Sequence, residues 1–177
     1  RIERLITDYS QMLKDEVALS REKMKKINLK LIARSVVDDF NNIYETKRGI
    51  KIILKDSDSQ EEYFINGIEN RIEQIIANLL DNSISFSDDD KEILVDITKN
   101  EKEEIILIVI DEGKGFKETN TKKIFNRFYS NRPDTFGEHS GLGLNIVKNL
   151  VDLHGATINA SNNTVQNGAN VEIAFPK

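Results

Sequence analysis

Asn78 and Asn82 stand one helical turn apart in "NRIEQIIANLLDNSISF", residues 70–86. With Gln74 and Ser85 they make a polar stripe beside the apolar face of Ile72, Ile75, Ile76, Leu79 and Phe86. Asparagine competes with the helix for backbone hydrogen bonds, so two in one helix interior need a reason. One is a solvated flank. The other is a cleft in which amide oxygens hold a hydrated magnesium ion and phosphates. Magnesium keeps much of its water and takes few protein oxygens, so neutral amides beside a triphosphate suit it.

Two further segments carry chemistry. "IDEGKGF", residues 110–116, ends an apolar run in Asp111, Gly113 and Gly115. An aspartate there can accept a hydrogen bond from an exocyclic amine, and the glycines let backbone approach a flat ring. The same letters also make an ordinary tight turn. "HSGLGLNIVKNLV" places Gly141, Leu142, Gly143 and Leu144 at the opening of a helix, where free N–H groups and the helix dipole attract an anion. Glycines precede many helices without binding anything. No Walker sequence is present, because Gly113-Lys114 is followed by Gly115, and the Rossmann glycine spacing is absent.

Periodicity supplies the elements that must position these residues. Apolar residues at 2, 5, 6, 9, 12 and 13 predict an N-terminal helix whose stripe lacks a neighbouring partner. Asn28 is placed to cap a second helix, with Leu31, Ile32, Val36, Phe40, Ile43 and Tyr44 buried and an end near Gly49. Short strands are expected at 50–54 and 62–66, and a helix over 69–86. "EILVDIT" and "EEIILIVID" read as a hairpin, and so do "ATINASN" and "ANVEIAF". Between the hairpins lie a long polar segment from Gly113 to Ser140, containing "TKKIFNRFY", and a helix from Leu142 to His154 stopped by Gly155. Helices separated by antiparallel pairs predict an α/β fold with helices on one face of a mixed sheet.

Composition narrows the chemistry. The chain has 177 residues, 25 basic and 30 acidic, for a net charge of -5, which argues against a broad nucleic-acid footprint. Zero cysteines and two histidines remove disulfides, thiolate nucleophiles and histidine-rich metal cages. No apolar run reaches the roughly 18 residues of a membrane span. An opening at Arg1 rather than Met leads us to expect a piece of a longer protein.

The order of motifs is more specific than any one of them. An asparagine-bearing helix, Asp-x-Gly-x-Gly, Phe125-Asn126-Arg127-Phe128-Tyr129 and Gly141-Leu142-Gly143-Leu144 follow one another. Here residues 27–177 resemble the catalytic ATP-binding domain of sensor histidine kinases, within the group that includes gyrase, Hsp90 and MutL. The resemblance implies a two-layer α/β sandwich, the Bergerat ATP-binding fold, preceded by an N-terminal α-helix, with ATP under a lid. It implies that Asn78 and Asn82 form the N box, with Asn82 the magnesium ligand. Asp111 would read the adenine amino group beside Gly113 and Gly115, and Phe86 would stack on the ring. Phe125, Phe128 and Tyr129 would anchor the lid, Arg127 could reach a phosphate, and Gly141, Leu142, Gly143 and Leu144 would cradle the phosphates.

Departures accompany the match. Ser85-Phe86 stands where many members have Lys-Tyr, so Arg127, Arg132 or Lys148 would have to replace the missing cation. Hydrolysing members carry a glutamate where this chain has Asn78, which cannot abstract a proton, so the resemblance favours phosphoryl transfer over hydrolysis. Residues 1–26 look like the second helix of a dimerisation hairpin. The acceptor histidine would lie on an absent first helix, so transfer would occur in trans. His139 falls in the lid, and His154 reads as a cap at a helix C-terminus. The implied setting is a homodimeric sensor with a response-regulator receiver domain as partner, on the cytoplasmic side of an inner membrane. Cofactors would be ATP and Mg2+. Alternatives are an ATP hydrolase of the same fold and a non-catalytic adaptor.

Overall fold

A computed structural model describes residues 22–55, 61–117, 121–126, 143–163 and 168–177. The N-terminal helix expected over 1–24 falls largely outside the described residues, and residues 22–24 belong to no helix or strand. Seven strands and three α-helices follow among the described residues. The order is β1 (Lys25–Asn28), α1 (Leu29–Arg48), β2 (Lys51–Leu54), β3 (Phe64–Gly67), α2 (Glu69–Phe86), β4 (Glu92–Lys99) and β5 (Ile105–Asp111). A 3-10 turn (Thr121–Phe125), α3 (Gly143–Leu153), β6 (Thr157–Asn163) and β7 (Gly168–Phe175) complete it.

Five strands form a mixed sheet in the order β2-β4-β5-β7-β6. Only β2 and β4 pair in parallel; the other three pairings are antiparallel. Both expected hairpins, β4–β5 and β6–β7, are present. The three helices pack with the sheet, which is the α/β sandwich expected. Ile72, Ile75, Ile76 and Leu80 of α2 and Ile93, Val95, Leu107 and Ile173 of the sheet are all fully buried. Each such side chain contributes about 1.5–3 kcal/mol over its exposed state. Ile76→Ala would therefore cost about 2–5 kcal/mol, cavity included.

One feature differs from the expectation, and one adds to it. In α1, Leu31 and Ile43 are exposed, at 59% and 45%. The buried stripe runs through Leu29, Ile32, Ala33, Val36 and Val37, with Phe40 and Tyr44 packed against its edge. That is the helical period counted from Leu29, and it leaves positions 31 and 43 off the face. The strands near 50 and 62 are β2 and β3, but they belong to different sheets. β3 pairs with β1, an antiparallel partner of four residues in "KKIN" that is too short to show an alternating pattern.

The helix ends follow their sequence signals. Asn28 caps α1 by accepting from Lys30 N at 3.1 Å, and Gly49 ends it with φ of 64°. Arg48 then reaches the last turn of α2, donating to Ile84 O and Ser87 O, both at 2.8 Å. A cation on the orphan carbonyls of a helix C-terminus is favourable, and here it fixes the end that carries Phe86.

Candidate functional site

Along β5, Ile105, Leu107, Val109 and Asp111 share one buried face, because strand side chains alternate. Asp111 is thus placed by its parity with three core residues, and it is 2% exposed. Its Oδ1 accepts from Gly113 N at 2.9 Å and Ala169 N at 3.0 Å. Burial raises its pKa, while the bonds from Ala169, Gly113 and the Ser83 side chain oppose the rise.

The glycines around Asp111 let backbone come close. A Cβ on Gly113 would lie 2.6 Å from Phe86 O, so only glycine lets this loop meet the end of α2. Gly115 has φ of 66°, and Asn162 of β6 clamps the next residue, accepting from Phe116 N at 2.6 Å and donating to Phe116 O at 2.9 Å. A Cβ on Gly168 would fall on the carbonyl oxygen of Asp111. The segment that reads as a tight turn is therefore a loop pressed between the end of α2 and the start of β7.

At the other end, α2 and α3 lie side by side. Asn78 Nδ2 donates to Gln74 O at 2.9 Å, one turn back, which leaves its Oδ1 as the outward acceptor. The atom nearest a Cβ built on Gly143 is this Oδ1, at 3.6 Å. The asparagine helix and the glycine that opens α3 are thus brought together. Ser85 leaves the stripe, since its hydroxyl donates to Asp81 O at 2.7 Å and the residue is buried.

Asn82, Phe86 and Leu144 are each partly buried on these two helices. Lys148, one of three cations considered as a substitute for the missing lysine, is paired with Asp152 one turn along α3. Arg127, Phe128, Tyr129, Arg132, His139, Gly141 and Leu142 lie outside the described residues. Among the described residues there is no cluster of three acidic or histidine side chains able to hold a metal unaided. An amide oxygen such as Asn78 Oδ1 suits a magnesium ion carried in on phosphates, which needs few protein ligands.

Several residues here have no signal in the sequence. Gly168 and Asn162 act across the sheet, through register. Ser83 could have been suspected from the hydroxyl-rich "NSIS". Asn145, in the first turn of α3, is buried; its Nδ2 donates to Phe125 O at 2.9 Å while its Oδ1 has no partner among the described residues. His154 does more than cap. Its Nδ1 bonds Leu150 O at 2.7 Å, and its Nε2 accepts from Ile68 N at 3.1 Å, so it ties the end of α3 to the start of α2 as a neutral ring. Burial lowers its pKa.

Asp111 buried at a strand end and an asparagine helix packed on a glycine-opened helix thus sit together in an α/β sandwich. Residues 67–177 match the family described as histidine kinase-, DNA gyrase B-, and HSP90-like ATPase. The chain belongs to that family. Its relatives include the sensor protein ChvG of Rhizobium meliloti, 32% identical over 92% of this chain and 29% of that protein. The sensor protein kinase PmrB of Pseudomonas aeruginosa is 28% identical over 88% of this chain and 31% of that protein. The nucleotide-free catalytic domain of histidine kinase ThkA superposes with a TM-score of 0.73 at 25% identity, covering 88% of this chain and 96% of that one. The chain therefore carries an ATP-binding catalytic domain of the sensor histidine kinase type and spans less than a third of the length of these two curated relatives.

Proposed function

We propose that this chain binds Mg-ATP between α2 and α3 and transfers the γ-phosphate to a histidine on a dimerisation helix outside it. The observation that carries this reading is the approach of Asn78 Oδ1 to Gly143, which puts an amide acceptor beside the N–H groups opening α3. Asp111 accepts a hydrogen bond from the adenine amino group, with Phe86 against the ring. Gly113 and Gly115 keep that end open to a flat base. Gly143 and Leu144 offer backbone N–H groups to the phosphates, and Gly141 and Leu142 extend that cradle.

Asn82 would hold magnesium, whose charge neutralises the triphosphate when bound. Arg127 supplies the cation that Ser85 does not, and Phe128 and Tyr129 anchor the segment around it. Asn78 bears no basic group, so water is not deprotonated there, and transfer to a positioned imidazole is favoured over hydrolysis. Residues 1–26 belong to a dimerisation hairpin and residues 27–177 to the catalytic domain. The whole protein acts as a homodimer on the cytoplasmic side of a membrane and hands the phosphate to a receiver domain.

Calorimetric titration with ADP and a non-hydrolysable ATP analogue, with and without magnesium, tests the pocket. Incubation with ATP and a histidine-bearing helical hairpin tests the transfer. Binding with phosphate appearing on the hairpin is the expected result. Free phosphate released at the same rate without the hairpin would identify a hydrolase instead, and no nucleotide binding by the folded chain would leave an adaptor.

A further inference from the structure

Gln74 belongs to the polar stripe, yet the nucleotide reading gives it no task. Its neighbour one turn back is Arg71, in the first turn of α2 and 8% exposed. A cation at a helix N-terminus faces the positive end of the dipole, and a buried guanidinium needs acceptors. Arg71 has them. Its Nε and one terminal nitrogen donate to the two carboxylate oxygens of Glu22, both at 3.1 Å, and the other donates to Gln74 Oε1 at 3.2 Å.

Glu22 lies before β1, 49 positions from Arg71 in sequence. The fork-on-carboxylate geometry is directional, so it fixes the side chain in place as well as pairing its charge. The backbone carbonyl of Gln74 in turn accepts from the Asn78 amide at 2.9 Å. Glu22, Arg71 and the Gln74 side chain are thus joined by hydrogen bonds, and the backbone of Gln74 links that group to Asn78 beside Gly143.

We propose that Arg71 is a positioning residue for Asn78, and that Glu22 is the handle by which the segment preceding β1 sets the phosphate end of the site. With Glu22 seated, Arg71 holds the first turns of α2 and Asn78 Oδ1 faces Gly143. With Glu22 withdrawn, the buried Arg71 loses its carboxylate, the first turns of α2 loosen and the acceptor is misplaced. The adenine end, fixed by Asp111 and strand register, is untouched. This inference rests on the assignment of Asn78 to the magnesium-phosphate end.

The test compares the affinity of the 177-residue chain for a non-hydrolysable ATP analogue with and without magnesium, using metal-free ADP as a measure of the adenine end. Glu22→Gln and Arg71→Gln should each cut the magnesium enhancement by about fivefold or more, the usual lower range of coupling between sites. ADP affinity should stay within about twofold, as for an uncoupled site. The exchanged pair Glu22→Arg with Arg71→Glu should regain most of the enhancement, since an acid in the first turn of α2 suits the helix dipole. An unchanged enhancement in both single variants, when Asn78→Ala removes it, would overturn the inference alone. So would an exchange no better than the worse single variant, or parallel loss of ADP binding. If Asn78→Ala kept the enhancement, the site assignment would fall and this inference with it.

Discussion

The two ends of the candidate site are built from different materials. At the adenine end, Asp111 is held by backbone N–H groups of Gly113 and Ala169 on a strand in the interior of the sheet. At the phosphate end, Asn78 and Gly143 meet because two helices lie side by side, and side-chain amides set the details. Strand register moves in whole residues, so the first end is either right or destroyed. Helices shift by an ångström or two without breaking their own hydrogen bonds, so the second end can be tuned. On the proposed reading, recognition of the base and control of the phosphates fall to parts of different stiffness.

The comparison can be broken most sharply at Asp111. Asp111→Asn removes a buried charged acceptor worth about 1.5–3 kcal/mol, so ADP affinity should fall about tenfold to a hundredfold in calorimetry. Because burial raises the Asp111 pKa above its ordinary 3.8, binding by the parent should also weaken as pH falls through that raised value. The same shift makes the ionised group a cost to folding: its contribution is present below the unfolded pKa and lost as pH rises through the folded one. Asp111→Asn should flatten that part of the stability profile. Equal ADP affinity in parent and variant would mean that the strand end does not read the base.

Next in size is Asn82→Ala. It should abolish most of the roughly tenfold or greater gain that magnesium gives an ATP analogue, leaving metal-free ADP binding alone. A parallel fall in both would erase the distinction between the ends.

Asn145→Leu separates stability from function. It discards a buried acceptor without a partner among the described residues, worth about 1–3 kcal/mol, and strips the Phe125 carbonyl of its donor at a similar cost, so the melting temperature should change little. ATP-analogue affinity should drop about threefold, because the link from α3 to the Phe125 carbonyl is lost. Unaltered affinity would show that α3 needs no such pin.

The smallest effect concerns His154. Its lowered pKa means that its contribution is present above the unfolded value, near 6.5, and is lost as pH falls through the folded one. Melting curves at pH 7.5 and pH 5 should show His154→Gln losing less stability on acidification than the parent. The same pH sensitivity in both proteins would mean that the ring does not bridge α2 and α3.

Local pattern revealed what local forces decide. The α2 and β5 assignments rest on uninterrupted periods of four turns and seven residues, and both appear where expected. Asn78, Asp111 and the glycines were legible because an amide in a helix or an aspartate ending an apolar strand is locally unfavourable. β1 was not legible, since its four residues become a strand only by pairing with β3. Leu31 and Ile43 misled because their apolar character suits the face on either side of the true stripe. Gly168, Asn162 and Glu22 act on residues 46 to 57 positions away, a relation set by tertiary register and invisible to any short window.

The parallel pairing of β2 with β4 has a mechanical meaning. The chain leaves β2, runs through β3 and α2 and returns as the adjacent strand, so the asparagine helix is the strap of a buckle whose two ends are stitched to neighbouring threads of one fabric. A pull along α2 is borne in shear by the backbone bonds of that seam, while a sideways push meets only side-chain packing. Force delivered to the first turn of α2 should therefore rock this helix against α3 far more readily than slide it, opening or narrowing the gap at Asn78 while the sheet stays whole.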